Sequence, residues 1–354
     1  MLHSDYYLPA EWHPQKAIQI SWPHKDTPWI KSNSLDKIDQ YFVELSKLIL
    51  AKQDLIIIAH SETLKTEIEQ KLHNNNNSKY KYYIYITKTN DTWARDNSVV
   101  SLLNKTNNNK LLLDFEFNAW GGKYPYNYDN EVSYNLYTQE AYGQPNLTCD
   151  LKKINYILEG GAIESNGLDT ILTTASVIYN PNRNPEFTKE QILAKLQHDL
   201  NINNLIILEN SFLHGDDTDG HIDQLVRFCN QNTLVYAACN DSDNPNFESL
   251  KKLEKELQIL QKNNAITANL KIVPLYIPKP VKDEQNNILP ASYCNFLIMN
   301  TTVLVPTYGD NYYDKKALTT LQDLFPNREV IGLNSKAVIR HGGSLHCLTM
   351  HLPA

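Results

Sequence analysis

The chain reads as an α/β protein assembled from recurring strand–helix–strand modules. Three observations predict this. Continuous apolar runs such as DLIIIA (Asp54–Ala59) and NLIIL (Asn204–Leu208) suit strands buried on both faces. Between such runs lie segments whose apolar residues repeat at three and four, the period of a helix with one buried face. The alternation recurs at intervals of about 50–60 residues, a spacing that suits repeated supersecondary units, although no repeat is visible in the letters themselves.

Taken in order, AIQI (Ala17–Ile20) is a first short strand. Leu35, Ile38, Phe42, Leu45 and Leu48 mark an amphipathic helix, with Ser34 placed to cap it. DLIIIA follows as a strand, then a helix over Glu62–Leu72, closed by a polar loop at Asn74–Asn77. YYIYIT (Tyr82–Thr87) is rich in strand formers. SVVSLL and LLLDFEFN flank NKTNNNK as a hairpin, whereas FNAWGGKYPYNYDN is too rich in glycine and aromatics to be regular. INYILEGGAIESNGLDTILTT reads as three strands separated by a Gly-Gly break and an Asn-Gly turn. Thr188 and Gln191 form a capping box for a helix that ends near Leu200. Paired strands LVRFC and TLVYAAC come next, then a helix over Phe247–Gln261. KIVPLYIP, NFLIMN and TVLVP are strands, Lys315–Leu324 is a helix, and VIGL is the last strand. No Pro/Gly/Ser-rich linker divides the chain, so residues 1–354 are read as one domain.

Hydrophobic residues make up 42% of the 354 positions and charged residues 21%, an ordinary globular composition. The net charge of −7 leaves no basic footprint for nucleic acid. No apolar run is long enough to span a membrane, and the N-terminus lacks the pattern of a secretory signal. The five cysteines (Cys149, Cys229, Cys239, Cys294 and Cys347) are odd in number and widely spaced, with no CxxC pair. A reducing, cytoplasmic setting is therefore expected.

Four polar strings each follow an expected strand, where α/β enzymes place their sites. They are TWARD (Thr92–Asp96), LEGG (Leu158–Gly161), HGDDTDGHID (His214–Asp223) and GGSLHC (Gly342–Cys347). A cysteine near two glycines is a candidate nucleophile, although many lone cysteines are simply small buried hydrophobes. The acidic string admits three readings. His214, Asp216, Asp217, Asp219, His221 and Asp223 could ligate a divalent metal and hydrolyse a substrate with it, although their spacing matches neither an EF-hand loop nor HExxH. His221 could instead serve as acid and base for Cys347, with Asp223 on the same face if that stretch is extended. The string could also bind a cation without any chemistry.

The full set of motifs resembles the agmatine deiminases of the guanidine-modifying, peptidylarginine-deiminase-like superfamily. EWHPQKAIQISWPH, DTWARD, FNAWGG, ILEGGAIESNG, DTDGHIDQ, ASYCNFLI and GGSLHC occur in the family's order along the whole chain. The resemblance implies a five-bladed α/β propeller of pseudo-fivefold ββαβ modules, with the active site on its axis. It implies that Asp96 and Asp223 grip a guanidinium, Glu159 partners His221, His221 is acid and base, and Cys347 attacks. It also implies a small guanidino substrate, no metal or organic cofactor, and a homo-oligomer of two or more chains. Deimination of free arginine or a C-terminal arginine is the alternative within the class. Trp93, Trp120 and Asp217 are expected around the far ammonium of the substrate, and Gly342 and Gly343 are expected to let backbone pass close to the guanidinium. Arg95 and Arg227 are expected to pair with local carboxylates. The segment departs from the family's usual GGNIHC at Ser344 and Leu345, which leaves the proposed catalytic residues intact.

Overall fold

Seventeen strands fall into five separate sheets among the described residues, and all five sheets share one grammar. In each, an antiparallel pair is followed by a strand parallel to its second member, reached through a helix. A computed structural model gives this architecture and describes residues 5–30, 34–73, 79–107, 109–143, 149–209, 212–263 and 269–354.

The first sheet pairs Thr349–Pro353 with Gln15–Ser21 antiparallel, then adds Asp54–Ala59 and Tyr82–Ile86 in parallel. The helices Leu35–Leu50 and Glu62–Leu72 make its two crossovers. The second pairs Val100–Asn104 with Lys110–Glu116 and adds Cys149–Ile157, with Tyr6–Tyr7 on its outer edge. Glu164–Ser165, Thr170–Thr174 and Asn204–Leu208 form the third, and Val226–Asn230, Thr233–Ala238 and Lys271–Tyr276 form the fourth. The fifth comprises Leu297–Ile298, Thr302–Thr307 and Glu329–Asn334. Because Thr349–Pro353 lies beside Gln15–Ser21, the end of the chain completes the sheet that its beginning starts.

Local chemistry accounts for the element ends. Thr188 and Gln191 exchange both hydrogen bonds of a capping box at the helix Lys189–Asp199. The Ser61 hydroxyl accepts from the Leu64 amide, and Asp310 caps Asn311–Leu324 through the amides of Tyr312 and Tyr313. That helix starts four residues earlier than Lys315, because the capping aspartate lies upstream of the apolar pattern. Ser34 occupies the cap position of Leu35–Leu50, but its hydroxyl donates to the Trp29 carbonyl.

Among the elements that escaped the sequence reading are Tyr6–Tyr7, Ala175–Ile178, Val132–Thr138 and Thr349–Pro353. The helix Val132–Thr138 buries only Val132, Ser133 and Leu136, too short an apolar stripe to register against its tyrosines and asparagines. Thr349–Pro353 was masked by its interest as the tail of the cysteine segment. The expected loop at Asn74–Asn77 lies outside the described residues.

This common grammar also explains the polar strings. Each ends a few residues before the first strand of an antiparallel pair: Asp96 before Val100, Gly161 before Glu164, Asp223 before Val226 and Cys347 before Thr349. The equivalent position of the fifth sheet is Ala291–Asn295, before Leu297.

Candidate active site

Folding of the acidic string begins with Asp216. Its Oδ1 accepts from the Thr218 amide and hydroxyl at 3.0 and 2.6 Å, and its Oδ2 accepts from the Gly220 amide at 2.8 Å. The Thr218 hydroxyl in turn accepts from the His221 amide at 3.0 Å. Asp219 pairs with Lys123 and Arg183, and Asp217 with Lys123 and Tyr124. These carboxylates are thus committed to backbone amides and organic cations, and they do not converge as a ligand set for a metal. Among the described residues, the group with convergent donor atoms is His24, Asp26 and His60, outside this string. There the two imidazole rings stack with centroids 3.9 Å apart at 27°.

His221 leads into a short 3-10 turn, Ile222–Gln224, so the stretch from His221 to Asp223 is not extended. The two side chains converge nonetheless. A Cβ on Gly161 would lie 2.5 Å from His221 Nδ1, 2.8 Å from Asp96 Oδ1 and 3.2 Å from Asp223 Oδ2. Three motif strings from three sheets therefore meet where this glycine has no side chain. Asp96 Oδ1 accepts from the Gly161 amide at 2.9 Å and stands 3.6 Å from His221 Nδ1. Its Oδ2 accepts from the Trp120 indole at 3.0 Å. Trp120 is held there by a left-handed backbone that runs from Ala119 (φ 51°) through Trp120 (φ 57°). For non-glycine residues this conformation costs on the order of 1 kcal/mol each, and such strain concentrates at functional sites.

Cys347 occupies the turn His346–Leu348. Its sulfur lies 3.7 Å from Asp223 Oδ2, 3.3 Å from Asn295 Nδ2 and 3.8 Å from Gln224 Nε2. Asn295 Oδ1 also accepts from the His346 amide at 2.8 Å, which pins the backbone beneath the cysteine. Asn295 is the contribution of the fifth sheet, and sequence reasoning passed it over. The signal was positional: ASYCN stands where the other four sheets carry their polar strings.

Glu159 is fully buried and receives the Nε of Arg183 at 2.7 and 3.1 Å. Its distance to His221 Nε2 is 4.0 Å, so in this state its main partner is Arg183 and not the histidine. A wholly buried carboxylate needs a charge partner. Arg183, in the NPNRNP stretch, was not singled out from the sequence. His346 bridges two acids, with Nδ1 2.8 Å from Asp223 Oδ2 and Nε2 2.7 Å from Glu11 Oε2. Glu11 also pairs with Arg227 at 3.0 Å and Arg95 at 3.5 Å, and Arg227 with Glu164 at 2.8 Å, so both arginines serve internal carboxylates as expected.

A cavity of about 250 Å³ opens over this cluster. Seven of the predicted residues line it: Trp93, Asp96, Trp120, Asp217, Gly342, Gly343 and Cys347. Glu159, His221 and Asp223 lie fully buried and do not line it. The wall also includes Asp91, Tyr124, Arg340 and His341, which sequence reasoning had not assigned to the site. Gly343 passes the Trp93 ring so closely that a Cβ would sit 2.4 Å from it, and Gly342 has φ +85°. In this structure the two glycines answer to the tryptophan and the turn.

Burial sets the electrostatics. It pushes Asp96 up to about 6, with Asp223 and Glu159 adding to the rise and His221 opposing it. Burial also lifts Asp223, but the hydrogen bond and charge of His346, then His221 and Arg227, more than reverse this and leave it below the usual range. The Cys347 thiol is pushed well up by burial and then by Asp223 and Asp96. Among the described residues, both ring nitrogens of His221 and Asp223 Oδ1 lack a hydrogen-bond partner while buried. Buried polar atoms left in this condition are rare in folded proteins, so such a group suits a polar ligand. Paired carboxylates, a thiol that is not ionised on its own and a buried imidazole suit attack on a planar cation.

The family model of Porphyromonas-type peptidyl-arginine deiminases matches residues 7–353. A Vibrio parahaemolyticus protein provisionally named an agmatine deiminase is 30% identical, covering 99% of this chain and 97% of its own. The structure of C. jejuni agmatine deiminase with substrate bound superposes with a TM-score of 0.87 at 32% identity, covering 99% of this chain and 96% of its own. A Porphyromonas gingivalis protein provisionally named an arginine deiminase gives 0.87 at 36% identity, over 98% of each chain.

Proposed function

The chain belongs to the family of Porphyromonas-type peptidyl-arginine deiminases, and we propose that within it this protein hydrolyses agmatine to N-carbamoylputrescine and ammonia. The observation that carries the reading is the convergence of Cys347, Asp96, Asp223 and His221 beside one cavity, with the buried nitrogens of His221 and one Asp223 oxygen unpaired.

Asp96 and Asp223 bind the guanidinium through paired hydrogen bonds, which offset its delocalised charge and fix its plane. The positive charge between them relieves the repulsion that holds the Cys347 thiol protonated, so substrate binding helps the thiol to release its proton to water and form the nucleophile. The thiolate adds to the central carbon and gives a tetrahedral adduct. His221 donates a proton to the departing nitrogen, ammonia leaves, and an S-alkylthiouronium remains on Cys347. The neutral His221 then takes a proton from water, which adds to the same carbon. The thiolate leaves and the product is the substituted urea. Glu159, held by Arg183, supplies negative charge 4.0 Å from His221 Nε2. Every bond made or broken involves this chain's residues, substrate and water. Trp93, Trp120 and Asp217 would surround the aliphatic tail and its ammonium.

We read the five sheets as the blades of an α/β propeller, with residues 1–354 as one catalytic domain of a cytoplasmic homo-oligomer. The shared order of strands and the matching position of the polar strings support the propeller. Deimination of free or C-terminal arginine is the second reading, favoured by Arg340 on the cavity wall and by the Porphyromonas relative. No helix among the described residues is long and apolar enough to cross a membrane. Incubation with agmatine, arginine or a C-terminal arginine peptide, with ammonia and ureido product measured, tests the assignment. Agmatine turnover that persists in EDTA is expected. A strict requirement for a divalent ion would overturn the cysteine mechanism.

A further inference from the structure

Among the described residues, Arg340 is the only lysine or arginine on the wall of the cavity. Its neighbour on that wall, His341, is packed against Trp29 with ring centroids 3.9 Å apart. Both terminal nitrogens of Arg340 are already taken: Nη1 and Nη2 each lie 2.6 Å from an oxygen of Glu284. This is a bidentate fork, the geometry a guanidinium would otherwise offer to a substrate carboxylate. Glu284 does not reach the cavity wall. It is presented by a built turn in which Asp283 Oδ1 accepts from the amides of Gln285 and Asn287 at 2.9 and 2.7 Å, and Asn287 Nδ2 donates to Asp283 Oδ2. The flank of this turn packs on the site itself, since a Cβ on Gly215, another wall residue, would lie 2.4 Å from the Ile288 carbonyl oxygen.

We infer that Glu284 is a specificity-determining residue which, by occupying both arms of Arg340, withholds this cation of the cavity wall from the far end of the substrate. The inference rests on the deimination reading. With Arg340 occupied, a guanidine whose tail is an ammonium meets no repelling charge, and one whose tail carries a carboxylate finds no fork to receive it. With Arg340 freed, both preferences reverse: carboxylate-bearing guanidines gain a partner and ammonium-bearing ones meet a like charge. Glu284 and Arg340 are both partly solvent-exposed, with side-chain exposures of 64% and 34%. Pairs of this kind contribute little to stability, so breaking this one leaves the fold intact.

The test compares kcat/KM for agmatine and for free arginine in the wild type, Glu284→Gln and the double variant Glu284→Gln, Arg340→Gln. Glu284→Gln is expected to raise the arginine-to-agmatine ratio by about tenfold, equivalent to one charge-assisted contact. The change should appear mainly in KM and shrink in high salt. The double variant is expected to lose the gain in arginine turnover. An unmoved ratio in Glu284→Gln, or a shift that survives removal of Arg340, would overturn the inference. Absence of both agmatine and arginine turnover in the wild type would strike the deimination reading itself, whereas wild-type turnover with an unmoved ratio strikes Glu284 alone.

Discussion

His346 Nδ1 lies 2.8 Å from Asp223 Oδ2, the same carboxylate oxygen that faces the Cys347 sulfur at 3.7 Å. The other ring nitrogen is 2.7 Å from Glu11, so the ring spans two buried carboxylates. The histidine next to Cys347 is therefore engaged in holding Asp223, which leaves His221 for the proposed role of acid and base. His346→Gln removes the charge that most opposes the effect of burial on Asp223. With that cation gone the carboxyl of Asp223 titrates at higher pH, so activity is lost earlier as pH falls. A profile of kcat/KM between pH 5 and 9 should show its acid limb displaced upward, with a loss of about 10²-fold or more at pH 7, the scale of breaking a buried pair. A limb superimposable on that of the wild type would show that His346 only supports the fold.

The Cys347 thiol lies between opposing demands. Burial and two neighbouring aspartates keep it protonated, yet the chemistry needs a thiolate. Cys347→Ala should abolish turnover, a loss on the order of 10⁴-fold or more, while still binding agmatine. In the free enzyme, alkylation of Cys347 by iodoacetamide should be slow at pH 7.5 and still rising at pH 9. Asp96→Asn removes one of the negative charges that raises the thiol, so its alkylation at pH 8 should be several-fold faster than in the wild type. A slower reaction in that variant would mean that Asp96 does not act on the sulfur.

Asp96 itself gives a stability measurement independent of turnover. Its carboxyl is raised to about 6 in the fold, above its unfolded value. The folded state thus favours the protonated acid, and that contribution is complete below the unfolded pKa and lost as pH rises through about 6. Asparagine carries no such penalty. The melting temperature of Asp96→Asn relative to the wild type should therefore be more favourable at pH 8 than at pH 4, with the change centred between about 4 and 6. Turnover should fall by about 10²-fold or more, because one arm of the clamp has lost its charge. A relative melting temperature that does not vary with pH would place Asp96 outside the buried cluster.

Much of this arrangement was legible in the letters, and what was not has a common cause. Cys347, His221, Asp96 and Asp223 announced themselves because polar residues beside glycines at strand ends are chemically conspicuous. Arg183, Asn295 and Arg340 were silent because each matters only through a partner far away in sequence: Glu159, Cys347 and Glu284. The capping box at Thr188 was readable because its two partners lie three residues apart. The strand Thr349–Pro353 was not, since its identity depends on pairing with Gln15–Ser21 at the opposite end of the chain. Even the acidic string, whose composition admitted a metal site, was decided by contacts such as Asp219 with Arg183 and Lys123 that no spacing could reveal.

Gly161 offers the most economical perturbation of the whole site. A methyl group there would come within 2.5 Å of His221 Nδ1, 2.8 Å of Asp96 Oδ1 and 3.2 Å of Asp223 Oδ2. None of these is the free end of a long side chain: Asp96 is tied to Trp120, Asp223 to His346, and His221 is wedged between Asp96 and Glu159. The methyl must push the base and both carboxylates out of register, and a displacement of about 1 Å is enough to cost about 10²-fold in rate. Gly161→Ala should consequently lower kcat for agmatine by at least that factor, with a loss of stability of the size of an overpacked core, about 1–3 kcal/mol. Near wild-type kcat in a folded Gly161→Ala protein would mean that these three side chains do not act together on the substrate.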